Sequence, residues 1–146
     1  MKPQEIWELF KGRENLDHDS YEAWSFGKSL DELAELVIKG IKRGTSSAHP
    51  HYLREGERLP EAGDYSVILN SSGEALCVIR NKKVSILPFR DISEGHARIE
   101  GEGDGSLSHW REVHIKFFEE ESRTYGFDFN EDMLVVFEEF ELVFRP

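Results

Sequence analysis

The chain has 146 residues, 38% of them hydrophobic and 32% charged, with a net charge of −11. That balance is expected of a single soluble, globular domain with one proper core rather than of a disordered chain. So acidic a chain lacks the broad basic surface that coats duplex DNA, and no apolar run reaches the roughly 20 residues of a membrane helix.

After Pro3, the residues Ile6, Leu9 and Phe10 form a helical stripe that Gly12 is expected to cap. Residues 13–20 are polar and read as loop, so 1–20 form an N-terminal helix-and-loop extension of a domain spanning 1–146. Tyr21 to Gly27 carries aromatics at alternate spacing and reads as extended. Ser29 and Glu32 have the spacing of a capping box, Leu30, Leu33, Ala34, Val37 and Ile38 follow at helical period, and Gly40 ends the helix. Residues 48–63, with Pro50 and Pro60, read as a long loop that can serve as a lid.

Strands come next. Tyr65 to Leu69 and Ala75 to Arg80 flank the turn Asn70-Ser71-Ser72-Gly73 as a hairpin, and Val84 to Phe89 reads as a third strand. Ser93 to Glu100 reads as a short helix. Leu107, Trp110, Val113, His114, Phe117 and Phe118 mark an amphipathic helix of about four turns. Met133 to Phe144 alternates as a final strand, with Glu138 interrupting a face of Leu134, Val136, Phe140, Leu142 and Phe144. Hairpins plus helices predict an α+β fold, with a small, curled, largely antiparallel β-barrel and flanking helices. The lone cysteine, Cys77, sits among apolar residues and is expected as a buried thiol. With no disulfide framework and no secretory segment after Met1, a reducing cytoplasm is the expected compartment.

Charge is unevenly spread. Residues 100–146 hold thirteen acids against four Lys or Arg, and residues 1–99 hold sixteen against fourteen. A polyanion must therefore be held through few contacts, which favours a small ligand or a short single strand. Two stretches concentrate polar chemistry. In Gly40-Ile41-Lys42-Arg43-Gly44-Thr45-Ser46-Ser47, cations and hydroxyls lie between glycines just past a helix, as an anion or polar-ligand grip requires. The order of a P-loop is absent, and a solvated helix-to-strand connection is the plain alternative. In Glu100-Gly101-Glu102-Gly103-Asp104-Gly105-Ser106, acids alternate with glycines ahead of the aromatic helix. Here a capped solvated loop and a site remain equally open, and the EF-hand pattern is missing. His96, His109 and His114 show no zinc spacing, and His114 reads as a core histidine on the apolar face. Glu138 reads either as a bulge position or as a buried, partnered acid.

Taken in order, these pieces resemble the ASCH domain family, and within it the larger bacterial subgroup, from about residue 21 to the C-terminus. The resemblance rests on Tyr21-x-x-Trp24-x-Phe26-Gly27, Gly40-x-Lys42-x-x-Thr45-Ser46-Ser47, Leu59-Pro60-x-x-Gly63-Asp64-Tyr65 and Pro88-Phe89. It continues through His96-Ala97, the Glu100-to-Asp104 block with Ser106, Leu107, Trp110 and His114, and finally Glu138-x-Phe140. It implies a PUA-like barrel that binds RNA, acts as a ribonuclease, or removes an acyl group from N4-acylated cytidine. By the family's pattern the catalytic residues fall on Lys42, Thr45 and Glu100. The surrounding ligand contacts are Arg43, Ser46, Ser47, Arg54, Glu102, Asp104, Ser106, Trp110 and Glu138.

Two arrangements fit these residues. Neutral Lys42 can activate Thr45 as nucleophile, or Glu100 can activate water while charged Lys42 and Thr45 stabilise the oxyanion. An adjacent carboxylate favours charged Lys42 and hence the second. Neither requires a metal or another cofactor, although the acidic loop could recruit a divalent ion for RNA cleavage. The expected partner is RNA or a modified nucleoside. A non-catalytic RNA-binding module and a protein-interaction domain are the competing readings.

Overall fold

The computed structural model describes all residues except 17, 18 and 28. The elements in chain order are α1 (Pro3–Glu14), β1 (Glu22–Trp24), α2 (Leu30–Ile38), β2 (Gly44–Ala48) and α3 (His49–Glu55). Then follow β3 (Tyr65–Leu69), β4 (Ala75–Pro88), a 3-10 turn (Phe89–Asp91), α4 (Glu94–Glu100), α5 (Leu107–Tyr125) and β5 (Leu134–Phe144). The five strands form one curled, half-barrel sheet in the order β1-β3-β4-β5-β2. Among the described residues β1 pairs with β3 in parallel, and the other strand pairings are antiparallel. The α+β class and the curled, largely antiparallel sheet stand as expected.

Three apolar clusters hold the helices to the sheet. Ile6, Trp7 and Phe10 of α1 pack on Val67, Ala75 and Val78, and Trp7 Nε1 donates to Asp19 Oδ1 at 2.8 Å. Trp7 rather than Leu9 completes the α1 stripe, since Leu9 is 51% exposed. Gly12 lies inside that helix, and Asn15, at φ 54°, caps it instead. Residues 17 and 18 of the predicted loop lie outside the described residues. Ala34 and Val37 of α2 pack with Phe26, Ile68, Cys77, Ile79 and Phe140. Trp110 and Phe118 of α5 pack with Phe89, Ala97 and Val135.

Several local expectations give way to tertiary contacts. Ser29 adopts φ 50° and makes no side-chain cap, so the predicted capping box does not form. Asp31 instead accepts from Ser71 N at 2.8 Å and Ser71 Oγ at 2.7 Å, tying α2 to the β3–β4 turn. Residues 44–48 are strand, and 49–55 of the predicted lid are helix α3, with Pro50 in its first turn where a missing N–H costs nothing. The predicted second and third strands are one fourteen-residue strand, β4. Its register shifts between Asn81 and Lys83, so the chain bulges there rather than turning. In β5, Val135, Val136 and Phe137 are all buried, because this strand lies inside the sheet and is covered on both faces. No described helix is long and apolar enough to cross a membrane.

Candidate functional site

Lys42 lies in the short connection between α2 and β2, which is pinned on both sides. Its own N–H donates to Leu36 O at 3.1 Å, and Arg43 N donates to Ile99 O at 2.8 Å. Glu100 ends α4, and Gly101 caps it at φ 68°. A Cβ on Gly101 would stand 2.4 Å from Ile41 O, so glycine alone lets the acidic loop press against the Lys42 segment. The two polar stretches of the sequence are thereby brought face to face.

Their side chains form a buried ionic cluster. Lys42 Nζ is 2.9 Å from Glu102 Oε2, 3.6 Å from Glu100 Oε2 and 5.3 Å from the Phe26 ring centre. Ser46 Oγ donates to Glu100 Oε1. His114 Nε2 is 3.3 Å from Glu100 Oε2, while its Nδ1 is 2.8 Å from Trp110 O. Both ring nitrogens thus face acceptors, which favours the doubly protonated imidazolium. Trp110 stacks on that ring at 4.1 Å.

Burial alone would raise Glu100, but Lys42 and His114 outweigh it and hold the carboxyl below its ordinary range. Burial opposes the charge on His114 as well, and Glu100 reverses the effect, raising the imidazole. Glu102 goes the other way. Its burial, with the neighbouring charge of Glu100, raises it against the pull of Lys42. Two carboxylates in one cluster are thus pushed apart, the pattern of a poised acid–base pair.

The cluster opens into a cavity of about 390 Å³ walled by Phe26, Leu33, Leu36, Val113 and Phe117. Lys42, Thr45, Ser46, Glu100 and Glu102 all line it. The other candidates lie elsewhere. Arg43 and Arg54 are exposed, the latter on α3. Asp104 is exposed and accepts from Ser106 N at 3.0 Å, and Ser106 caps α5 by accepting from His109 N. Trp110 is buried behind His114. Ser47 bonds the Tyr52 hydroxyl at 2.7 Å, and both line a second cavity with Glu138, whose Oε1 accepts from Asn81 Nδ2 at 3.0 Å. Thr45 borders both cavities. The sequence reading missed His114 as a member of the site. The sequence offers only an ionisable ring on an apolar face, which calls for a hydrogen-bonding partner without naming it.

Glu100, Glu102 and His114 also offer three ligand atoms within 4.8 Å of one another. His114 Nδ1 on a carbonyl is the support a metal-bound imidazole uses. A divalent ion there would compete with the Lys42 ammonium for the same carboxylates.

A sequence description of the ASCH domain matches residues 22–144. The chain belongs to the ASCH domain family. Two crystal structures are close to it throughout. The ASCH domain from Lactobacillus crispatus JV V101 is 33% identical, at a TM-score of 0.89, over 96% of this chain and 92% of that one. A protein of Enterococcus faecalis V583 is 38% identical, at a TM-score of 0.87, over 96% of this chain and 86% of that one. No protein of curated function matches the sequence. The half-barrel is accordingly the PUA-like α+β fold of ASCH domains, and the Lys42 cleft is a feature of an ASCH chain.

Proposed function

We propose that this ASCH protein is a small hydrolase that removes the acyl group from an N4-acylated cytidine or a close relative, with RNA the less favoured substrate. The observation that carries this reading is the buried Lys42–Glu100–Glu102–His114–Ser46 cluster opening into an aromatic-walled cavity. Its volume of about 390 Å³ is in the range of roughly 300–1,000 Å³ for small-molecule sites. Phe26 and Phe117 offer ring faces for a base. Lys42 is already engaged by two carboxylates, so the lining favours a neutral nucleoside over a phosphate-bearing one.

In the reaction, Glu102 takes a proton from a water that attacks the amide carbonyl, its raised affinity for protons making it the better base of the two acids. The Lys42 ammonium stabilises the oxyanion. Collapse breaks the carbonyl–N4 bond. The proton on Glu102 passes to the leaving amino group, giving cytidine and a carboxylic acid. Glu100 positions Lys42, Ser46 and His114 and keeps its own charge throughout.

Chromatographic turnover of N4-acetylcytidine, beside its 5′-monophosphate and a mixed single-stranded RNA, tests the reading. Deacylation of the nucleoside at least about tenfold faster than of the monophosphate is expected, since added anionic charge meets two acids. Cleavage of the RNA without deacylation would replace this reading with a nuclease. No turnover on any substrate would leave a binding module as the better account.

A further inference from the structure

The second cavity, of about 430 Å³, lies on the far side of Thr45 and is lined by Glu22, Trp24, Ser47, Tyr52, Arg58 and Glu138, among others. Glu138 sits in β5 opposite Thr45 of β2 and Val84 of β4. Its Oε1 is held by Asn81 Nδ2 at 3.0 Å, and its Oε2 accepts no hydrogen bond from any described residue. This half-buried carboxyl is therefore held through one oxygen, while the group itself lines the cavity.

The remaining lining says what would complete it. Among the described lining residues, Glu22, Glu57 and Glu138 bring three carboxyls against the Arg58 cation, and Glu57 faces His51 at 3.8 Å. Arg58 is committed to Asp64 at 3.0 Å and Glu61 at 3.8 Å. The Tyr52 hydroxyl is occupied by Ser47 Oγ. An anionic ligand would meet unbalanced acids, and an apolar one would strand the Glu138 carboxyl without a donor. Trp24, edge-on to Phe26 at 5.0 Å, supplies an aromatic wall of the kind that attracts organic cations.

We propose that this cavity is a binding site for a small organic cation, which presents an ammonium or guanidinium group to Glu138 with its carbon stem against Trp24. The site is separate from the Lys42 cleft, and its test does not depend on turnover there. Burial raises Glu138 to about 7 against its Asn81 bond, with Glu22 and Asp64 adding to the rise. Binding of a cation near pH 7 should therefore release protons, because it selects the ionised carboxylate.

Calorimetric titration with agmatine, putrescine and the neutral 1,4-butanediol is the experiment, run in buffers of different ionisation enthalpy. Agmatine and putrescine are expected to bind at least roughly tenfold more tightly than the diol, with proton release near pH 7. Glu138→Gln should cost agmatine roughly tenfold or more in affinity. Glu139→Gln makes the same charge change on the opposite face of β5 and should leave binding intact. Absence of cation binding to the wild type, binding without proton release, or equal affinity in Glu138→Gln would each overturn the proposal. The proton-release readout needs only the wild-type protein, so a Glu138→Gln variant that failed to fold would not shield it.

Discussion

Replacing Lys42 with methionine removes the cation that two carboxylates share, at little change in side-chain length. Lys42 and Glu100 are each 1% exposed, so Glu100 would keep a buried charge beside Ser46, His114 and the second acid Glu102. Breaking one member of a buried pair costs about 3–5 kcal/mol. At about 3 °C per kcal/mol for a chain of this size, Tm should fall by about 10–15 °C. The loss should also depend on pH. Glu100 is held low in the folded chain, so its stabilising share is complete above the unfolded value of about 4.3 and disappears as pH falls through the folded one. Without Lys42, burial raises Glu100, and the variant takes up a proton on mild acidification that the wild type does not. The gap between the two should be widest near pH 7 and should narrow toward pH 5.

Urea unfolding followed by tryptophan fluorescence at both pH values measures the gap. The double variant Lys42→Met/Glu100→Gln should recover part of the loss, because the Glu100 charge leaves with its partner while Glu102 and His114 stay behind. A gap under about 1 kcal/mol, the size of an exposed pair, would refute the reasoning. So would the same gap at both pH values.

His114 is raised in the folded chain by Glu100 despite its burial, so its contribution is full below the unfolded value of about 6.5 and is lost as pH climbs through the folded one. His114→Gln should therefore be less stable than wild type near pH 6, with the difference shrinking at higher pH, as paired urea titrations would show. Gly101→Ala puts a Cβ 2.4 Å from Ile41 O at a φ of 68°, and should cost about 1–3 kcal/mol in denaturant unfolding. Burial pushes the Cys77 thiol up to about 12, so a thiol reagent should leave the native protein unmodified near pH 8 and label it only on unfolding.

The sequence was most legible where one periodicity governed one element. Leu30 to Ile38 and Leu107 to Phe118 announced helices because each buries a single face. The hairpin around Gly73 announced itself through turn chemistry. Elements set by distant contacts were harder to read. Residues 44–48 become a strand because β5 offers an edge, and Gly-Thr-Ser-Ser-Ala carries no β-branched run of its own to say so. At Asn81–Lys83 a bulge and a turn look alike until the partner strand is known. Lys42, Thr45 and Glu100 were singled out through the family resemblance rather than through spacing, and all three line one cavity. His114 was not, because a half-apolar helix face looks the same whether its histidine faces carbon or a carboxylate. The separation of Ser46 from Ser47, one on the Glu100 side and the other on the Tyr52 side, follows from strand alternation and needed the strand to be known first.

The most direct test of the central claim is the initial rate of N4-acetylcytidine hydrolysis by wild type and by Glu102→Gln, with circular dichroism to establish that both are folded. Glu102 is raised, partly exposed at 16% and 2.9 Å from Lys42, so it has both the proton affinity and the access a base requires. Removing it should lower kcat by about 10²–10⁴, the usual share of general base catalysis, with KM little changed. Equal rates in the two proteins, or a wild type that leaves the amide intact, would contradict the account.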